Sequence, residues 1–149
     1  MKRLVYLCAA MILLASCAAP RMYYWGSSPN SDNGTSKYEQ LAYKNYDDQT
    51  PESICDLVCL YEDMVSNPGG TRGVIPPGIC AEYGFLLLQE STAATFEKYA
   101  TKRQKRMFGK TEYADFFAER GMAMMQKEME LYPESQKFIA PLLKRLTEK

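Results

Sequence analysis

The chain has 149 residues, with 18 Lys and Arg against 18 Asp and Glu, no His, 46% hydrophobic residues and five Cys. That length suits one ordinary domain plus a processed segment, and the absence of His excludes Ser/His/Asp and Cys/His nucleophile schemes together with the commonest nitrogen ligand for zinc, copper or iron. Balanced charge supplies no field for nucleic-acid phosphates, and 12% aromatic residues are too many core formers for a disordered chain.

Lys2 and Arg3 precede an apolar run from Leu4 to Leu14, and the small residues Ala15 and Ser16 follow. This is the positive, apolar and cleavage-site order of a secretory signal. The run of 11 is too short to cross a bilayer, which takes about 20 residues. Leu14-Ala15-Ser16-Cys17 resembles a bacterial lipobox, which implies cleavage after Ser16 and acylation of Cys17 as the first residue of the mature chain. The alternative is an ordinary cysteine behind a conventional signal or at the end of a buried helix. One acyl chain anchors only marginally, at about 0.8 kcal/mol per buried methylene, whereas two or three on Cys17 anchor durably. Ala18 stands where an Asp retains a lipoprotein in the inner membrane of many Gram-negative bacteria, so the expected address is the outer membrane, facing the periplasm.

Residues 1–16 are therefore expected to be a lipoprotein signal peptide, 17–36 a lipidated tether and 37–149 a helical domain. Cleavage leaves 133 residues carrying 16 cations and 18 anions. Tyr23, Tyr24 and Trp25 open the tether, and a Ser/Asn/Gly/Pro run closes it. These aromatics suit either the lipid headgroup level or a seat on the domain; Gly26, as a specified turn directly after Trp25, favours the seat.

From Lys37 onward the chain reads as helix. Tyr38, Leu41, Ala42 and Asn45-Tyr46 mark a short first one. Thr50-Pro51-Glu52 then supplies an N-cap, a first-turn proline and an acidic first turn, and Ile54, Leu57, Val58, Tyr61, Met64 and Val65 recur at three and four. Asn67-Pro68-Gly69-Gly70 ends that helix. Gly69-Gly70-Thr71-Arg72-Gly73 lacks the Lys-Ser/Thr ending and preceding strand of a phosphate loop and reads as a flexible connection.

Pro76-Pro77-Gly78 leads into a helix that runs to about Gln89 and is apolar almost all round, the pattern of a central helix. Gly84 inside it costs about 1 kcal/mol relative to Ala and is explained by a neighbouring helix crossing at close range. Residues 91–107 form a weakly amphipathic helix carrying Phe96, Ala100 and Met107. Gly109 breaks it and Thr111 caps a long helix from Glu112 to Tyr132, with Ala114, Ala118, Gly121, Met125 and Tyr132 on one stripe. Pro133 stops this helix, Ser135 caps a last one, and Phe138, Leu142, Leu143 and Leu146 give its buried face, with a kink expected at Pro141. The expected fold is all-α, an antiparallel array of about five or six helices.

Gly84, Ala118, Tyr132 and Pro133 are arranged much like a tetratricopeptide helix hairpin. Gly84 to Pro133 spans 50 residues, against about 34 for a whole repeat, so an insertion has to occupy roughly residues 91–110. A closer resemblance is to the bacterial lipoproteins grouped as domain of unknown function 4810. Three stretches carry it: Met22-Tyr23-Tyr24-Trp25-Gly26-Ser27, Ile75-Pro76-Pro77-Gly78-Ile79-Cys80-Ala81-Glu82-Tyr83-Gly84-Phe85-Leu86, and Glu128-Met129-Glu130-Leu131-Tyr132-Pro133-Glu134-Ser135 followed by Phe138 and Leu142-Leu143. The polar run Ser28–Ser36 and the basic stretch within 91–110 depart from that family. The resemblance implies a tetratricopeptide-like helical lipoprotein of the outer membrane, encoded beside lipoproteins similar to the curli-secretion channel, and hence envelope lipoprotein partners.

Chemistry-bearing residues are sparse. Cys55, Cys59 and Cys80 remain as thiols beside the acylated Cys17; Cys55 and Cys59 lie one helical turn apart, where a bridge is strained, and Cys80 pairs more easily with either. A soft-metal site on these three is the alternative to buried apolar packing, and packing is the expectation, with no metal and no cofactor. Lys102-Arg103-Gln104-Lys105-Arg106 reads as a solvated helix face rather than a site for anionic lipid or an acidic partner. Glu82 and Glu134, as lone acids of a glycan-cleaving enzyme, compete with a role as helix N-terminal carboxylates favoured by the backbone dipole. Met122, Met124 and Met129 suit an adaptable partner groove. The expected function is accordingly a non-enzymatic, lipid-anchored adaptor with no nucleic-acid partner, and the sequence identifies no small-molecule substrate. The rivals are a peptidoglycan-directed binder or hydrolase and a thiol or metal-handling periplasmic protein.

Overall fold

The structure is a computed structural model that describes residues 21–26 and 35–147. The expected signal segment with Ser16, the expected acylation site Cys17, Ala18 and most of the polar run after Gly26 lie outside the described residues. Among the described residues seven α-helices follow in order: α1 (Lys37–Asp47), α2 (Pro51–Ser66), α3 (Ile79–Leu87), α4 (Glu90–Tyr99), α5 (Lys102–Phe108), α6 (Ala114–Leu131) and α7 (Gln136–Thr147). A 3-10 turn, Pro133–Ser135, joins the last two, and no strand occurs among the described residues. The all-α array is present, and among the described residues no helix is long and apolar enough to cross a membrane.

Helix α2 is the hub, packed against α1, α3, α4 and α5. Thr50 caps it through the amide of Ser53, Pro51 occupies the first turn, and the six apolar residues spaced at three and four from Ile54 to Val65 are all buried. Helix α1 starts at a capping box: Ser36 accepts from the Glu39 amide, while the Glu39 carboxylate accepts from the Ser36 amide at 2.7 Å. That bond, with a second from the Ser36 hydroxyl, holds the Glu39 carboxyl below its ordinary range.

Helices α3 and α6 form the most extensive pair, and they run in opposite directions, since Gly78 meets Glu128 whereas Leu88 meets Gly121. The close approach expected at Gly84 is there, but its partner is Gly121, one turn beyond the half-buried Ala118. The buried stripe of α6 is Phe117, Gly121, Met124, Met125 and Glu128. Ala114 is exposed and Tyr132 half-buried, so the expected stripe is rotated. Thr111 does not cap α6. The N-cap position is Tyr113, whose amide donates to Glu97 Oε1 at 2.9 Å.

The expected weak helix over 91–107 divides into α4 and α5 because Ala100 and Thr101 take extended backbone and Thr101 caps α5 in a box with Gln104. Residues 91–110 are a part of the core and not an insertion on it. Phe96 is fully buried, with the rings of Phe108, Tyr113 and Phe117 centred 5.0 to 5.3 Å from its own.

At the C-terminal end the expected capping by Ser135 is replaced by the 3-10 turn, which runs straight into α7. The buried residue of α7 is Ile139; Phe138 is 69% exposed and Leu142, Leu143 and Leu146 are half-buried. Phe138 misses the core because α7 rests mainly on α6 and the 3-10 turn, so a narrow stripe of it is covered. Pro141 lies within the helix.

Candidate functional site

The residues that follow the expected acylation site form a strap bound to the helical body. The Arg21 carbonyl accepts from the Thr71 amide at 3.0 Å, the Met22 carbonyl from the Arg72 amide at 3.1 Å, and the Trp25 carbonyl from the Tyr38 amide at 3.1 Å. Side chains secure the same segment. Tyr24 donates its hydroxyl to Asp63 Oδ2 at 2.7 Å, and the Arg72 guanidinium donates to the Tyr23 hydroxyl at 2.7 Å while lying over its ring. Gly26 turns the chain away at φ 77°. The seat expected for Tyr23, Tyr24 and Trp25 is therefore occupied, and the tether is not loose over residues 21–26.

The glycine-rich loop is what the strap lies on. A Cβ on Gly70 would fall 2.5 Å from the Met22 carbonyl oxygen, and one on Gly69 would fall 3.2 Å from Tyr24 Cβ. Gly70 also requires φ 77°, which side chains disfavour. The loop read as a flexible connection is a shaped docking surface instead. Its signal in the sequence was the pairing of Gly69-Gly70 with an aromatic cluster 45 residues away, which no local pattern exposes.

From the strap a row of rings leads inward: Trp25 to Tyr38 at 5.2 Å, Tyr38 to Tyr61 at 6.2 Å and Tyr61 to Tyr83 at 5.7 Å between centroids. Their hydroxyls converge on two carboxylates. Glu82 accepts from Tyr38 at 2.8 Å and from Tyr61 at 2.7 Å, and Glu62 accepts from Tyr83 at 2.7 Å and from Arg120 at 2.8 Å. Burial, reinforced by these carboxylates, raises the phenol pKa of Tyr38, Tyr61 and Tyr83 well above the usual value. Glu134 stands apart from this row and is exposed on the 3-10 turn.

A third carboxylate has a role that its place in the sequence does not reveal. Glu128 is 2% exposed and accepts the amides of Gly78 at 2.7 Å and Cys80 at 3.1 Å. It caps the first turn of α3, whose own N-cap residue, Gly78, has no side chain to offer. Burial raises the Glu128 carboxyl, with the amide hydrogen bonds pulling the other way. Pro76 is buried and Pro77 exposed on the approach to this cap, and Tyr132 donates to the Ile75 carbonyl at 2.6 Å. Burial and contact with Tyr23 push the Tyr132 phenol up to about 12, so the C-terminal end of α6 adjoins the strap.

Cys55 and Cys80 are buried, Cys59 is half-buried, and all three are free thiols. Burial pushes Cys55 up to about 11 and Cys59 and Cys80 up to about 12. No group of three or more His, Cys, Asp or Glu able to hold a metal occurs among the described residues. The groove expected from Met122, Met124 and Met129 does not form, because Met124 is buried in the core while Met122 faces solvent. Of the basic run, Lys102, Arg103 and Arg106 face solvent; Gln104 donates to Asp56 at 2.8 Å and Lys105 to the Glu97 carbonyl. Comparison of the chain with protein-family models, with curated proteins and with solved structures returns no match.

Proposed function

We propose that this chain is a non-enzymatic, lipid-anchored envelope protein that serves as an adaptor or accessory subunit of a lipoprotein assembly similar to the curli-secretion channel, on the periplasmic face of the outer membrane. The observation that carries the reading is the strap. Residues 21–26, which begin four positions after the Cys17 of Leu14-Ala15-Ser16-Cys17, are built into the helical body by three backbone hydrogen bonds, so acylation of Cys17 would tie the body itself to a membrane. The resemblance to the domain of unknown function 4810 lipoproteins supplies the kind of partner.

The carboxylates support a role in contact over one in chemistry. Glu82 and Glu62 each accept hydrogen bonds from a tyrosine hydroxyl, and Glu128 is a helix cap, so Glu82, one of the two acids considered for glycan cleavage, is engaged in holding helices together, while Glu134 lies exposed away from it. The buried thiols with raised pKa likewise suit packing better than redox or metal handling. Exposed Tyr43, Tyr46 and Phe138 offer aromatic anchors of the kind that interfaces use.

The test is affinity recovery of the full chain from detergent-solubilised envelopes at near-native expression. Stoichiometric co-recovery of a second envelope lipoprotein supports the adaptor. Recovery of this chain alone argues against it, and release of muropeptides by the purified protein, lost on Glu82→Gln, replaces it with the hydrolase.

A further inference from the structure

We infer that the rim formed by Arg21, Met22, Tyr23 and Arg72 rests directly on an anionic phospholipid surface. The inference depends on acylation of Cys17 and adds to it where the body sits. Arg21 is fixed to the body by its bond to Thr71, and Cys17 is four residues upstream. An extended chain spans at most 3.3–3.6 Å per residue, so the Arg21 backbone lies within about 14 Å of the Cys17 backbone whatever path the intervening residues take. A flexible 20-residue tether would let the domain float; a strap anchored at Arg21 does not.

The rim has the composition for that position. Residues 21–26 and 69–73 include two arginines and no carboxylate, and Glu39, which lines the same cavity as Arg21, Met22 and Tyr23, is engaged by the Ser36 amide and hydroxyl. Arg21 and Arg72 are exposed, as is Met22 at 57%, while Tyr23 is half-buried. Cations within a Debye length of an anionic leaflet are drawn to it, and Tyr and Trp are at home at the headgroup level. The rim thereby accounts for an exposed methionine and an exposed Arg21, beside an Arg72 whose guanidinium is held at the same edge by Tyr23.

Nitroxide labels at Met22→Cys and, on the α1 surface, at Tyr46→Cys read the arrangement in the full acylated protein, reconstituted at high lipid excess in vesicles of phosphatidylethanolamine and phosphatidylglycerol. Intact mass first establishes the acyl chains; their absence overturns the inference through its premise. With acylation established, the expected result is a several-fold lower collision rate with a water-soluble nickel complex at position 22 than at 46, and a smaller difference in phosphatidylcholine vesicles or on Arg21→Glu. Equal accessibility at the two positions in the acylated protein overturns the inference while leaving the anchor intact. So does protection at position 22 that follows protein density instead of lipid, which assigns the rim to a second copy.

Discussion

Gly84 and Gly121 bring α3 and α6 together so closely that a Cβ built on Gly84 would lie 2.7 Å from the Gly121 carbonyl oxygen and 2.7 Å from Met125 Cγ. The carbonyl belongs to the backbone and cannot turn aside. Gly84→Ala gains about 1 kcal/mol of helix propensity but incurs overpacking of about 1–3 kcal/mol or more, so the expected net effect is destabilising. At Gly121 a new Cβ would lie 2.8 Å from Leu88 Cγ, which has some freedom to rotate, and 3.0 Å from the Gly84 carbonyl oxygen, a less severe backbone approach than the 2.7 Å at Gly84. Urea unfolding monitored by circular dichroism should rank Gly84→Ala below Gly121→Ala, and both below the parent. A parent-like midpoint for Gly84→Ala would show that the two helices separate without cost.

Glu128 supports the opposite end of the same helix pair. Glu128→Ala leaves the Gly78 and Cys80 amides without their acceptor and is expected to cost about 1–3 kcal/mol, with Glu128→Gln losing less. Because the folded state raises this carboxyl above its ordinary 4.5, native protein binds the proton more tightly than unfolded chain. Its contribution to stability is therefore fully present below the ordinary pKa and declines as pH rises through the raised one. Subtracting the stability of Glu128→Gln from that of the parent across mildly acidic pH should reveal this falling slope. A difference that rises with pH would contradict the assignment.

The strap should open separately from the core. Gly70→Ala places a side chain against the Met22 carbonyl and at a backbone φ of 77°, a strain of order 1–3 kcal/mol. That corresponds to roughly tenfold or more in the open population. Trypsin cleavage after Arg21 should accelerate by about that factor while the global unfolding midpoint moves little. Unchanged cleavage would mean that the strap is not seated on the loop.

Alkaline pH should unfold the protein through its buried acids. Burial raises Cys55 from 9.0 to about 11 and Cys59 and Cys80 to about 12, and Tyr132 from 10.0 to about 12. Between the ordinary and raised values only the unfolded chain ionises, so stability is full below about pH 9 and falls as pH rises above it. The triple variant Cys55→Ser, Cys59→Ser, Cys80→Ser should flatten the first part of that decline, read as the pH dependence of the urea midpoint. In the parent at pH 8, a thiol reagent should modify these cysteines far more slowly than in denaturant.

Much of the local structure was legible in the chain itself. Thr50-Pro51-Glu52 with six apolar residues at helical spacing specifies α2, and Gly84 announces a close crossing, because caps and periodicity act over a few residues and leave a mark there. The all-α class follows from the same short-range signals. What only the tertiary structure decided is which distant partners complete them. Gly121 was chosen over Ala118, Glu128 caps a helix 48 residues away, Gly69-Gly70 is a seat and not a hinge, and Ile139 displaced Phe138 from the core. Burial and hydrogen-bond satisfaction are settled between elements rather than within them, and a carboxylate that reads as surface charge in sequence becomes a cap once another helix brings its unpaired amides within reach.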